Sequence, residues 1–197
     1  MLFASGMLPQ GSYPALIPFS AGRELTRLVA YTLPCLGFMG YLIHRQCPGS
    51  LKPRKQDLCA FGAAILGLGC IGIGISSAES WVNALSSGPA FEAPQGFRAW
   101  LIALLSSAGT GYLEESYFRV YLVRGAEEAG ISRRSGAFFS CLLFALCHSY
   151  EGPWGVLQAA LAGGVLSWVF TRYRAIHGIA LAHGAYNSLV YLMSAGP

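Results

Sequence analysis

Long apolar runs separated by short polar stretches repeat along almost the whole chain. Their lengths predict helices over 25–44, 58–77, 97–128, 135–148, 154–171 and 175–194. Several of these runs hold about 17 to 20 apolar residues, enough to cross the roughly 30 Å hydrocarbon layer of a bilayer. Residues 1–20 are apolar too, but Pro9, Pro14 and Pro18 interrupt them. They lack the basic start of a signal peptide and predict an extended or interfacial arm. The fold class expected is all-α: a polytopic membrane bundle of about six transmembrane helices enclosing an intramembrane polar site.

Composition agrees with the pattern. Of 197 residues, 54% are hydrophobic and 11% charged, where a soluble domain carries about 25% charged residues. Mean hydropathy is +0.48. The net charge of +4 comes without a basic block, which argues against a nucleic-acid partner and turns attention to the loops. Arg45, Lys52, Arg54, Lys55, Arg124, Arg133, Arg134, Arg172 and Arg174 fall on one side of a six-helix alternation; Arg23, Arg27 and Arg98 fall on the other. The positive-inside rule makes the first group cytoplasmic and puts both termini outside.

Two local patterns carry little chemistry. Cys35, Cys47, Cys59, Cys70, Cys141 and Cys147 show no metal-finger or CxxC spacing and read as small apolar residues. Cys147 beside His148 is the one nucleophile candidate, and neighbours on a helix diverge by about 100°. Gly67, Gly69 and Gly72 match GxGxxG, with Glu92 downstream. A dinucleotide site needs that turn between a strand and a helix, whereas here it lies inside an apolar span. Close helix packing by Ala63 with Gly67 and Cys70 with Gly74 explains the small residues better.

The costly residues are the polar ones inside the runs. Glu114 and Glu115 stand together at the end of one, and ionisable groups at such depth usually face a protein interior. Glu115 and Arg119 are i,i+4 neighbours that can pair, leaving Glu114 without a partner in the motif. Phe144 with His148, and His183 with Asn187, share helix faces at the same spacing. From Glu114 the chain descends about 24 Å to the turn near Gly130, then climbs about 21 Å to His148. His183 lies about 14 Å above Arg174, so all three levels agree if the 124–134 end protrudes about 10 Å. A carboxylate in a low-dielectric pocket can take a proton from water near neutral pH, and a facing histidine can share it. His183 and Asn187 can donate to a tetrahedral oxyanion. That set supports amide hydrolysis by activated water. A zinc ion held by Glu114, His148 and His183 is the alternative, with Glu115 and Arg119 behind it; the spacing does not choose. Gly-x-Ser-x-Gly and HExxH are absent, as are paired membrane aspartates.

Taken in order, Glu-Glu-x-x-x-Arg (Glu114, Glu115, Arg119), Phe-x-x-x-His (Phe144, His148) and His-x-x-x-Asn (His183, Asn187) resemble the three motifs of the CPBP family. This group of CAAX-protease and bacteriocin-processing membrane proteins includes the type II CAAX prenyl endopeptidases. The resemblance covers roughly residues 100–190. It divides the chain into an arm with two transmembrane helices, 1–96, and a catalytic helical core, 97–197. It implies that Glu114 activates water and His148 partners it. His183 and Asn187 would stabilise the oxyanion, with Glu115, Arg119 and Phe144 supporting. It also implies a glutamic mechanism with no required cofactor, zinc being the alternative. Val120 stands where family members often have glycine after the arginine, which questions local helix packing.

The activity expected is an intramembrane endopeptidase cutting near the C-terminus of a membrane-anchored or lipidated protein or peptide. Prenylated, bacteriocin-type and sorting-signal substrates all fit. The short chain favours a bacterial plasma membrane. Competing readings are a non-catalytic immunity or scaffold protein that binds a membrane peptide, and a small proton-coupled transporter. Binding alone does not require an acid–base set, and no internal repeat of the transporter kind is visible.

Overall fold

The computed structural model describes residues 16–82 and 90–193. They form six helical rods. The first joins α1 (Ala21–Arg27) through a π-helical turn, Leu28–Thr32, to α2 (Leu33–Gln46). The second is α3 (Asp57–Val82). The third is α4 (Gly96–Glu115), a longer π-helical segment, Ser116–Arg124, and α5 (Gly125–Glu128). Then come α6 (Arg133–Cys147), α7 (Gly152–Tyr173) and α8 (Ile176–Met193). A two-residue parallel pairing of β1 (Leu16–Ile17) with β2 (Ala90–Phe91) is the strand structure among the described residues. The expected arm is thus extended where it enters the bundle, and its first fifteen residues lie outside the described ones.

The six expected helices are present, with shifted ends and two π segments that apolar spacing did not predict. The turn at Leu28–Thr32 precedes Pro34, which has no N–H and whose ring would crowd the carbonyl one turn back. The widened turn accommodates it, and the Leu33 N–H reaches the Leu28 carbonyl. The second π segment starts directly after Glu115, in place of the straight helix expected to residue 128. Single π turns inside α-helices are rare and frequent at functional sites. Here the segment buries Phe118, Arg119 and Val120 consecutively, a broader inward face than an α-helical stripe provides.

Among the described residues, three helices are long and apolar enough to cross a membrane by length and composition: Ala21–Gln46, Asp57–Ala78 and Ser149–Tyr173. The rods bearing the polar motifs fall short of that description. At 15 residues α6 is too short, and α4 and α8 carry Glu114, Glu115, His177, His183 and Asn187. Polarity is distributed inside out. Leu58, Leu66, Ile73, Phe138 and Phe139 face outward, while Glu24, Glu114, Glu115, Arg119, Ser140, Ser167 and His183 are buried. Water as solvent selects the reverse arrangement.

Helix α8 packs between α3 and α4, and α7 bridges α3 to α6. Ile43, Ala60, Ala64, Leu68, Val120, Val123, Leu166, Val169 and Ile179 form the core between them. Val120 is 0% exposed there, so the residue that departs from the family pattern is accommodated by packing. Helices α4 and α8 touch through their backbones. A Cβ at Gly111 would lie 2.5 Å from the Ala180 carbonyl oxygen, and one at Gly184 would lie 2.7 Å from the Ala108 Cα. Gly111→Val is therefore expected to destabilise the fold by about 1–3 kcal/mol, the usual range for overpacking. Thermal unfolding in detergent measures this, and an unchanged midpoint would exclude the close contact.

The GxGxxG run lies wholly within α3. A Cβ at Gly67 would strike Val165, and one at Gly72 would strike Tyr186, so helix packing explains these two. Gly74 has nothing within 4 Å and Cys70 is exposed; the expected packing role of that pair is not found. All six cysteines are free thiols.

At the opposite end from the strands, Glu127 fastens three elements. It accepts Arg174 through both guanidinium nitrogens, at 2.7 and 2.8 Å, and also Arg124 at 3.0 Å and Arg133 at 2.5 Å. Burial pushes its carboxyl upward, but bonds from Arg174, Arg133 and Arg124 outweigh that and hold it at about 2, below the ordinary 4.5. A lowered folded pKa gives stability that is complete above the unfolded value and lost as pH falls through the folded one. Unfolding midpoints should therefore drop as pH falls from about 4.5 to about 2. In Glu127→Gln that part of the slope should be missing.

Candidate active site

The site is built where α4 passes into its π segment and meets α6, α7 and α8. Glu115, the last residue of α4, is 0% exposed. It accepts the Arg119 Nε–H at 2.9 Å, as the i,i+4 spacing predicts. Its other oxygen lies 2.9 Å from Nδ1 of His183. A carboxylate already paired with arginine accepts that contact, so Nδ1 carries the proton and Nε2 is turned towards Glu114.

Arg119 is the hub. Its Nη1 donates to Ser140 Oγ at 3.1 Å and Ser167 Oγ at 3.2 Å, tying the π segment to α6 and α7. Ser140 in turn donates to the Phe118 carbonyl at 2.6 Å. Nη2 is buried with no hydrogen-bond partner. The guanidinium carbon lies 5.2 Å from the Phe144 ring centre, so the aromatic face supplies a cation–π contact where a hydrogen bond is missing.

Glu114 is 4% exposed and has no arginine. The histidine nitrogen within ion-pair range of it is Nε2 of His183, at 3.8 Å. His148 caps the end of α6 and holds its ring through Nδ1, which donates to the Phe144 carbonyl at 2.7 Å. This leaves its Nε2 as an acceptor. The His148 ring packs on Phe144 at 4.5 Å, and Phe144 lies 6.0 Å from His183. Phe144 therefore sits against both histidines. The sequence reading paired Glu114 with His148, yet no hydrogen bond or ion pair joins these two among the described residues. Asn187 is half-buried on α8, one turn beyond His183. No group of three or more His, Cys, Asp or Glu placed to hold a metal ion occurs among the described residues.

Sequence reasoning missed Ser140 and Ser167; serines inside apolar runs were the available signal. It also missed a second buried polar cluster, in which Glu24 accepts Arg27 at 2.5 Å and Ser106 at 2.8 Å. Arg27 reaches Thr110 as well, clipping α1 to α4 one turn before Glu114. Tyr112 donates to Nδ1 of His177 at 3.1 Å, and His177 Nε2–H donates to the Leu51 carbonyl at 3.0 Å.

Chemically, the arrangement offers one glutamate held by arginine and histidine, and beside it a second carboxylate that accepts no hydrogen bond among the described residues. Compared with known proteins, residues 96–189 match the family model for Rce1-like type II CAAX prenyl endopeptidases. No curated protein and no solved structure matches the chain. Glu114, Glu115, Arg119, Phe144, His148, His183 and Asn187 all lie inside the matched stretch, so the residues that form the site are those through which the chain resembles the Rce1-like type II CAAX prenyl endopeptidases.

Proposed function

We propose that the protein is an intramembrane endopeptidase that hydrolyses a peptide bond near the C-terminus of a membrane-anchored or lipidated protein or peptide, using water activated by Glu114. The match to the family model supports the reaction class. The observation that carries the residue assignment is the asymmetry of the two glutamates. Glu115 is consumed by Arg119 and His183, whereas Glu114 faces Nε2 of His183 across 3.8 Å. Atoms at that separation can share one bridging water, each at about 2.8 Å.

In this reading Glu114 takes a proton from the water as its oxygen bonds to the scissile carbonyl carbon. The carbonyl oxygen becomes an oxyanion that accepts from Asn187 and from His183 when Nε2 is protonated. Collapse breaks the C–N bond, and the proton on Glu114 passes to the departing amine. Glu115 fixes the tautomer of His183, and Arg119 fixes Glu115. The acceptor Nε2 of His148 is available to orient water or the incoming peptide. Outward-facing apolar residues and three candidate spans support a bilayer location.

The test is cleavage, in reconstituted bilayers, of a panel of lipidated and unlipidated C-terminal peptides, with and without chelator. Cleavage that survives chelation supports the glutamate mechanism. Cleavage abolished by chelator and restored by zinc would instead make Glu114, His148 and His183 the ligand set. Absence of cleavage across the panel, with binding retained, would favour the scaffold reading.

A further inference from the structure

A cavity of about 430 Å³ lies away from the carboxylates, lined by Gly49, Ser50, Arg54, Arg124, Phe170 and Arg174. Its walls come from the 47–56 loop, the end of the π segment and the turn between α7 and α8. We propose that this cavity binds a phosphate ester, the chemistry of an anionic phospholipid headgroup. The inference does not depend on proteolysis.

Charge is the first argument. No carboxylate lines the cavity, while three arginines do. The nearby acids are already committed: Glu127 is shared by Arg124, Arg133 and Arg174, and Glu128 pairs with Arg124. Two carboxylates against these three guanidinium groups leave one cationic charge in excess. Asp57 is occupied as well, accepting the backbone N–H groups of Arg54 and Gly178. The exposed Arg54 side chain has no ion pair among the described residues. The uncommitted fork of Arg54 suits phosphate because its planar donors match two of the oxygens, while Arg124 and Arg174 contribute positive charge beside it.

Preorganisation is the second argument. Glu127 holds the Arg174 side chain through two bonds, and Arg174 adopts the left-handed backbone region at φ 55°, rare for a residue with a side chain. Gly49, at φ 80°, shapes the opposite wall. Depth is the third. The candidate spans end or begin at Gln46, Asp57 and Tyr173, so residues 48–54 and 174 stand at the level of lipid headgroups. Basic pockets at that level are suited to anionic lipids.

The experiment uses the full chain in nanodiscs of phosphatidylcholine and phosphatidylglycerol in equal amounts, with native mass spectrometry counting the lipids retained after release. Wild type should retain phosphatidylglycerol in preference to phosphatidylcholine. Arg54→Ala should lower that preference about tenfold, as expected for losing one charge-assisted bond, and Arg54→Lys should lower it less. Arg54 is exposed and unpaired, so the variant folds normally, which a thermal melt verifies. A parallel arm adds glycerol 1-phosphate to phosphatidylcholine nanodiscs; Arg54-dependent binding there supports the phosphate site and assigns a soluble source. Equal retention of both lipids by wild type with no glycerol 1-phosphate bound overturns the proposal. So does undiminished phosphatidylglycerol retention in Arg54→Ala.

Discussion

Glu114→Gln is expected to reduce peptide cleavage by about 10²- to 10⁴-fold, the range associated with losing a general base. Glutamine keeps the shape of glutamate and removes the only function claimed for it, proton acceptance from water. Glu114 accepts no bond from arginine, and its contact with His183 is long, 3.8 Å. Stability should therefore change by less than in a variant of the paired glutamate. The informative comparison is the neighbouring variant, Glu115→Gln. Glu115 holds Arg119 and His183 at 2.9 Å each, so that change should lower both activity and the unfolding midpoint. Equal cleavage by Glu114→Gln and wild type would remove Glu114 from the mechanism. A large stability loss in Glu114→Gln would instead make it structural.

Arg119→Met is expected to destabilise the fold by about 3–5 kcal/mol, because it leaves a carboxylate buried without its cation. Arg119 and Glu115 are both 0% exposed, so water cannot compensate. Ser140 and Ser167 lose their donor at the same time, which loosens the π segment from α6 and α7. The double variant Glu115→Gln/Arg119→Met tests the cause. If the uncompensated charge dominates, the double variant is more stable than Arg119→Met alone; the coupling shows as non-additivity in unfolding free energy. Additive losses would show that packing, and not charge, makes the arginine necessary. Activity should stay low in both variants: Arg119→Met loses the group that fixes Glu115, and the double variant also loses the carboxylate that anchors His183.

Much of this was legible in the sequence because charge inside an apolar run is expensive and its remedies are short-ranged. The Glu115–Arg119 pair followed from i,i+4 spacing, and the six helices followed from run length. What escaped notice depends on neighbours distant in sequence. No local rule says that Glu115 and not Glu114 meets Nδ1 of His183, 68 positions away. Nor does any local rule say that Nδ1 of His183 is held while Nε2 is turned towards Glu114. The π segment escaped because its i→i+5 bonding changes helix phase without requiring any special residue. The Glu24–Arg27 cluster escaped for a different reason: taken one at a time, these residues look like an ordinary polar helix start.

The backbone contact between α4 and α8 has a consequence for the walls around the buried carboxylates. Where Gly111 meets Ala180 and Gly184 there is no side chain to rotate aside, so the wall holding Glu114, Glu115 and His183 is a single stiff slab. The wall carrying His148 is different. It ends in a 3₁₀ turn, Ser149–Glu151, followed by Gly152 at φ 78°, where the chain changes direction into α7. The buried carboxylates are therefore backed by backbone on the α8 side and flanked on the His148 side by a turn.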